Sequence, residues 1–236
     1  MKKAVLILIL IFPLLGSSAK KPIDVSITTM VKARDTKNLA YYQNAFADGW
    51  CDFYKNDETG KYHLHEANIS VDIYYDDCAE DSLVYVLSNR PSLFLIKGLK
   101  PKTKPVKTLV PPTESVSVTL EEKYSFRFGG KTYTFRSEGD VRTDGNLDDY
   151  WYKIEDYKLY LSDGKSEQLI TTVPYFGGTS PDILWIGDLD DDGKPDFAVR
   201  TETWYEEVQI ELYLSSIAEK GELVKLAGMA YHNAAC

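Results

Sequence analysis

The chain has 236 residues, a formal net charge of −9 and 17 tyrosines in an aromatic content of 13%. That much acid works against nucleic acid and anionic membrane surfaces as partners. The length allows one large β domain or two small ones. Lys2 and Lys3 precede an apolar run from Ala4 to Leu15, and Ser17-Ser18-Ala19 supplies small residues at a cleavage point. This predicts a signal peptide over 1–19, too short to span a bilayer, and hence a secreted or periplasmic protein with no membrane insertion after cleavage. Losing Lys2 and Lys3 takes the formal charge from −9 to −11.

Beyond the leader, alternation and turn residues predict mostly strands. Ile23, Val25 and Ile27 alternate between Pro22 and Val31. Leu39, Tyr42 and Phe46, at 3–4 spacing, predict a helix within Ala33–Gly49. Strands are expected over Trp50–Tyr54 and Tyr62–Tyr75 around a turn at Asn56–Gly60, then over Ser82–Leu87 and Ser92–Ile96 around Asn89-Arg90-Pro91. Lys97–Pro112, with four prolines and five lysines, reads as an extended edge or a linker. It divides the chain into an N-terminal β region, 20–112, and a C-terminal β domain, 113–236. The clearest hairpin follows: Tyr124–Phe128, the turn Gly129-Gly130, then Lys131–Arg136, with Tyr124, Phe126, Phe128, Tyr133 and Phe135 on one face. Another pairs Tyr157–Leu161 with Gln168–Val173 across Asp163-Gly164, and Glu207–Leu214 and Glu222–Met229 complete the sheet. The fold class expected is all-β and mainly antiparallel, a sandwich or open twisted sheet with little helix.

One run carries most of the chemistry. Asp188-Leu189-Asp190-Asp191-Asp192-Gly193-Lys194-Pro195-Asp196 reads D-x-D-x-D-G-x-x-D. Its carboxylates converge only if the chain curls, and Gly193 stands where it must turn sharply. Hard oxygen donors at this density suit Ca²⁺, which takes 6–8 oxygens at roughly 2.3–2.6 Å. Asp188, Asp190, Asp192 and Asp196 are the expected side-chain ligands, with Lys194 giving its main-chain carbonyl. Position 12 of the run, where an EF-hand places a bidentate Glu, is Val199. The flanks Ile183–Gly187 and Phe197–Val199 read as strands rather than helices. From Leu184 to Val199 the pattern resembles one FG-GAP repeat, the calcium loop joining two strands in integrin-type propeller blades and in secreted bacterial proteins. The resemblance covers Ile183 to Ser216. It implies a metal-stapled β hairpin and names no activity. Asp191 stands where such loops often carry Gly or Asn, and Asp tolerates a left-handed backbone. The motif occurs once, so a closed propeller of 4–8 blades is not expected.

Catalytic signatures are sparse. No Gly-x-Ser-x-Gly elbow, His-Glu-x-x-His pair or phosphate-cradling loop is present. His63 and His65 share one face of a strand at the spacing that begins a transition-metal site, without an identifiable third partner. Cys51 and Cys78 are candidates for a disulfide worth about 3 kcal/mol, and Cys236 for a free thiol. Trp185, inside an apolar strand, reads as core. Trp151 and Trp204, beside acidic and tyrosine-rich segments, read as the better contact surface. The function expected is that of a non-enzymatic calcium-binding β protein with a structural or binding role, its partner a protein or glycan at the cell envelope. The alternative is a carbohydrate-binding or carbohydrate-active module using exposed Trp and Tyr.

Overall fold

The computed structural model describes residues 23–26, 29–32, 39–77, 80–142, 151–205 and 207–233. The predicted signal peptide, Cys78 and Cys236 lie outside them. Seventeen strands in four sheets account for most of the described chain. The N-terminal outer sheet orders β2 (Thr29–Lys32), β6 (Asp81–Ser88) and β5 (Ile69–Asp76). The inner sheet orders β1 (Asp24–Ser26), β7 (Ser92–Lys97), β3 (Trp50–Lys55) and β4 (Tyr62–Glu66). The central sheet orders β17 (Lys225–Asn233), β16 (Glu207–Leu214), β15 (Asp196–Arg200), β14 (Asp182–Asp188) and β8 (Lys107–Val110), with β9 (Val116–Ser117) also on β14. The C-terminal outer sheet orders β10 (Lys123–Phe128), β11 (Lys131–Val141), β12 (Ile154–Ser162) and β13 (Glu167–Tyr175). The named pairings are antiparallel, and no sheet closes on itself, so the molecule is all-β without being a propeller.

The sheets stack face to face, and strand alternation decides which residue serves which interface. On β15, Phe197 and Val199 enter a core shared with Phe126, Phe135, Tyr157 and Leu161 of the C-terminal sheet. Between them Ala198 points the opposite way, into a core with Phe53, Leu64, Phe94 and Ile96 of the inner sheet. The central sheet is therefore buried on both faces. Trp185 and Phe53 meet edge to face at 5.1 Å across one interface, and Phe135 and Phe197 at 5.0 Å across the other. The register shift between Ile183 and Trp185 turns these two residues, two apart in sequence, to opposite faces. The inner sheet is double-sided as well. Trp50 and Leu95 pack with Val86, Ile69 and Val71 of the N-terminal outer sheet.

Some sequence expectations need correction. Tyr62–Tyr75 is not one strand: the chain breaks at Ala67-Asn68 and passes from the inner sheet to the outer one. The described helix, α1 (Leu39–Ala45), stops short of the expected Gly49 and buries no side chain fully, and residues 33–38 of that expectation lie outside the described residues. It ends where Trp50 Nε1 donates to the Ala45 carbonyl at 2.9 Å, while Phe46 stacks on Trp50. The Lys97–Pro112 segment bonds along β4, through Lys102 N to Leu64 O at 2.7 Å and Val106 N to Tyr62 O at 2.8 Å, and then enters the central sheet as β8. The Gly129-Gly130 hairpin forms in the expected register, with both glycines at positive φ. Cys51 is buried, its thiol 3.7 Å from the Leu99 carbonyl and pushed up to about 11, chiefly by burial. No helix among the described residues is long and apolar enough to cross a membrane.

Candidate metal centre

The strands β14 and β15 form an antiparallel hairpin that pairs Gly187 with Asp196 and sets Asp188 at the start of the loop. A methyl group at 187 would lie 2.2 Å from the Trp185 ring and 2.4 Å from the Lys107 carbonyl. Gly187 is thus demanded by the close approach of β8 and the folded-back indole. The loop turns through two left-handed residues, Asp191 at φ +63° and Gly193 at φ +80°. The first sits where the FG-GAP resemblance expects Gly or Asn.

Carboxylates hold this turn closed. Asp188 Oδ1 accepts from the Asp192 amide at 3.1 Å and Oδ2 from the Gly193 amide at 3.0 Å. Asp196, with no solvent exposure, accepts from the Leu189 amide at 2.7 Å and the Ser215 amide at 2.8 Å. Asp190 differs: both of its oxygens are buried and neither meets a hydrogen-bond donor. Asp188, Asp190 and Asp196 each offer an oxygen within 4.8 Å of the others. Oxygens bound to one ion at about 2.4 Å stand at most about 4.8 Å apart, so the three can share a calcium-sized centre.

Asp192 and the Lys194 side chain have other partners. Asp192 accepts from the Ser215 hydroxyl at 2.9 and 3.0 Å and from the Lys194 amide at 2.8 Å, and is not one of the converging three. Lys194, expected to contribute its main-chain carbonyl, is exposed and sets its side-chain Nζ 3.6 Å from Asp192. Two participants were not legible in the run itself. Ser215, just beyond β16, braces both Asp192 and Asp196. Lys102, from the proline-rich connector, sets its mostly buried ammonium 2.8 Å from Asp191 Oδ1, an ion pair without hydrogen-bond alignment. Only the register Phe197↔Tyr213 and the path of the connector bring these residues to the loop.

The electrostatics are those of crowded acid. Burial, and then the charge of Asp190, push the Asp196 carboxyl up to about 8. Burial also raises Asp188, while Lys102 pulls it back. An ion that neutralises the group relieves this repulsion, whereas Lys102 competes with it. Replacing that ammonium in Lys102→Gln is expected to tighten calcium binding on the order of tenfold by calorimetry. Unchanged or weaker binding would remove Lys102 from the account.

Elsewhere, His63 and His65 hold their rings 5.1 Å apart, and Tyr54 Oη lies 2.9 Å from His65 Nδ1. Burial lowers the His63 imidazole. Among the described residues the aspartate trio is the group of three or more close metal-ligating side chains. Trp185 is fully buried, and its Nε1 donates to Thr108 Oγ1 at 3.1 Å. Trp151 is half-buried between Tyr157 and Phe176, whereas Trp204 is exposed.

The chain matches no protein-family model, no curated protein and no solved structure.

Proposed function

We propose that this is an exported, non-enzymatic calcium-binding β protein in which the ion clamps the β14–β15 hairpin and so stiffens the central sheet. The observation that carries the reading is Asp190. Two buried carboxylate oxygens without a donor are costly unless a cation shares them, and they stand beside two more acids. Hard oxygen ligands from carboxylates favour calcium over softer metals. The resemblance of the loop to an FG-GAP repeat supports the same ion. The role that follows is structural or binding, at or beyond the cell envelope, where extracellular calcium modules work with dissociation constants of roughly 10⁻⁴–10⁻³ M.

Asp190→Asn keeps the shape of the side chain and removes its charge. The variant is expected to lose calcium retention in equilibrium dialysis, yet to fold in EDTA at least as stably as the parent, because Asp196 no longer faces a second negative charge. Retention of calcium by Asp190→Asn at the parent's stoichiometry and affinity would overturn the assignment.

A further inference from the structure

A second site stands at the other end of the same hairpin. Six residue steps along β14 separate Asp188 from Asp182, about 20 Å of strand. There Asp182 pairs in register with Arg200. The guanidinium is held between two buried acids: Nη2 contacts Asp182 Oδ2, and Nε lies 3.0 Å from Glu202 Oε1. Asp182 also accepts from the Ser117 hydroxyl, and Glu202 from the Gln209 amide at 3.3 Å. The Thr179 hydroxyl ties the neighbouring segment down by donating to the Glu202 carbonyl at 2.9 Å. Arg200 and Glu202 of this cluster line a cavity of about 330 Å³, walled by Trp151 and Tyr205 and edged by Ser180 and Thr179. That volume is near the lower end of small-ligand pockets, roughly 300–1,000 Å³.

The aromatic wall continues outward. Trp204 is 44% exposed and Tyr205 63%, their rings 5.5 Å apart. Trp204 is fixed in place. Its backbone bridges Gly177, the Gly177 amide donates to Thr203 O at 2.7 Å, and a methyl group at 177 would fall 2.1 Å from the indole. An indole seated this way on one glycine, with much of its surface in water, has already lost the freedom that ligand binding would otherwise remove.

We propose that this cleft binds a neutral saccharide. The charges select against ions of either sign. Arg200 is already paired with both buried acids, so an anion finds no free positive charge. The accessible charged group is the guanidinium, its side chain 37% exposed against 8% and 7% for the two acids, so a cation meets it first. What remains favoured is a ligand with hydroxyls to exchange hydrogen bonds with Arg200, Ser180 and Thr179 and an apolar face to lie on Tyr205 and Trp204. None of these residues belongs to the acidic loop.

The test is a titration of the full chain, in calcium and again in EDTA. Intrinsic tryptophan fluorescence is read against neutral hexoses, N-acetylhexosamines and their short oligomers, with glucuronate and choline as charged probes. Saturable binding to at least one neutral sugar is expected, weakened about tenfold or more by Trp204→Ala and by Tyr205→Ala, with Trp204→Phe restoring part of the loss. Tyr205 is largely exposed, so Tyr205→Ala tests the wall even if Trp204→Ala disturbs the fold. Absence of saturable binding across the neutral panel, stronger binding of a charged probe, or sugar affinity indifferent to both substitutions would each overturn the proposal. Sugar binding that persists in EDTA, or in a chain that retains no calcium, would support the cleft while leaving the metal reading to its own experiment.

Discussion

Calcium at a hundred times its dissociation constant is expected to raise the melting temperature at neutral pH by roughly 5–10 °C over the same protein in EDTA. A ligand that binds only the folded state at that excess contributes about 2.7 kcal/mol, and each kcal/mol moves a domain of this size by about 2–4 °C. Magnesium should do less, because it prefers near-ideal octahedral geometry and gives up its waters reluctantly. The effect should also depend on pH with a definite sign. The Asp196 carboxyl, ordinarily at 3.8, is raised to about 8 in the ion-free fold by burial and by Asp190. Between those values the folded chain holds a proton that the unfolded chain has released. Stability in EDTA is therefore greatest near the lower value and falls as pH rises toward 8. Calcium must displace that proton, so its stabilising increment is small at pH 5 and large at pH 8. Thermal melts at both pH values, with and without calcium, measure all four corners. A gain that is equal at the two pH values, or no gain at all, would contradict the scheme.

Trp185→Ala is expected to lower stability by about 3–5 kcal/mol, a fall in melting temperature of roughly 6–20 °C. This indole has no contact with solvent, spans the interface between the inner and central sheets, and satisfies its Nε1 on Thr108. Truncation empties that space and leaves the Thr108 hydroxyl without its donor. Because Gly187 and Trp185 occupy the same corner, the loss should also loosen the approach of β8 to β14 beside the acidic loop. Calcium affinity is expected to weaken in the same variant. Trp185→Phe should recover part of the stability but not the hydrogen bond. A chemical-denaturation series over the three proteins reads this out, and a loss below about 1 kcal/mol for alanine would show that the interface carries little of the stability.

The hairpins were readable because their instructions are local. Gly129-Gly130 and Asp163-Gly164 dictate their turns by backbone freedom and side-chain acceptors, and the neighbouring alternation sets the register. The acidic loop was readable for the same reason, and Asp191 does adopt the left-handed backbone its position requires. The stacking of four sheets was not readable. Phe197-Ala198-Val199 and Leu212-Tyr213-Leu214 are apolar at consecutive positions because both faces are covered, and a continuous apolar run does not say what covers it. The step from β4 to β5 lacks Gly or Pro, so no strong local signal marks the break within Tyr62–Tyr75. Ser215 and Lys102 reach the candidate metal centre only through pairings distant in sequence. Arg200, Asp182 and Glu202 likewise become a cluster only once β14 lies beside β15.

The connector has a consequence for the way this molecule can be divided. Its first part hydrogen bonds to β4, its last part is an edge strand of the central sheet, and Trp185 from the C-terminal half is roofed by Phe53 from the N-terminal half. Two polypeptides separated within that lysine-rich stretch would each display a broad greasy surface and aggregate alone. Produced together, they should clasp each other and restore the parent's melting behaviour. This makes the protein a natural candidate for fragment complementation, and a poor one for trimming to a smaller module.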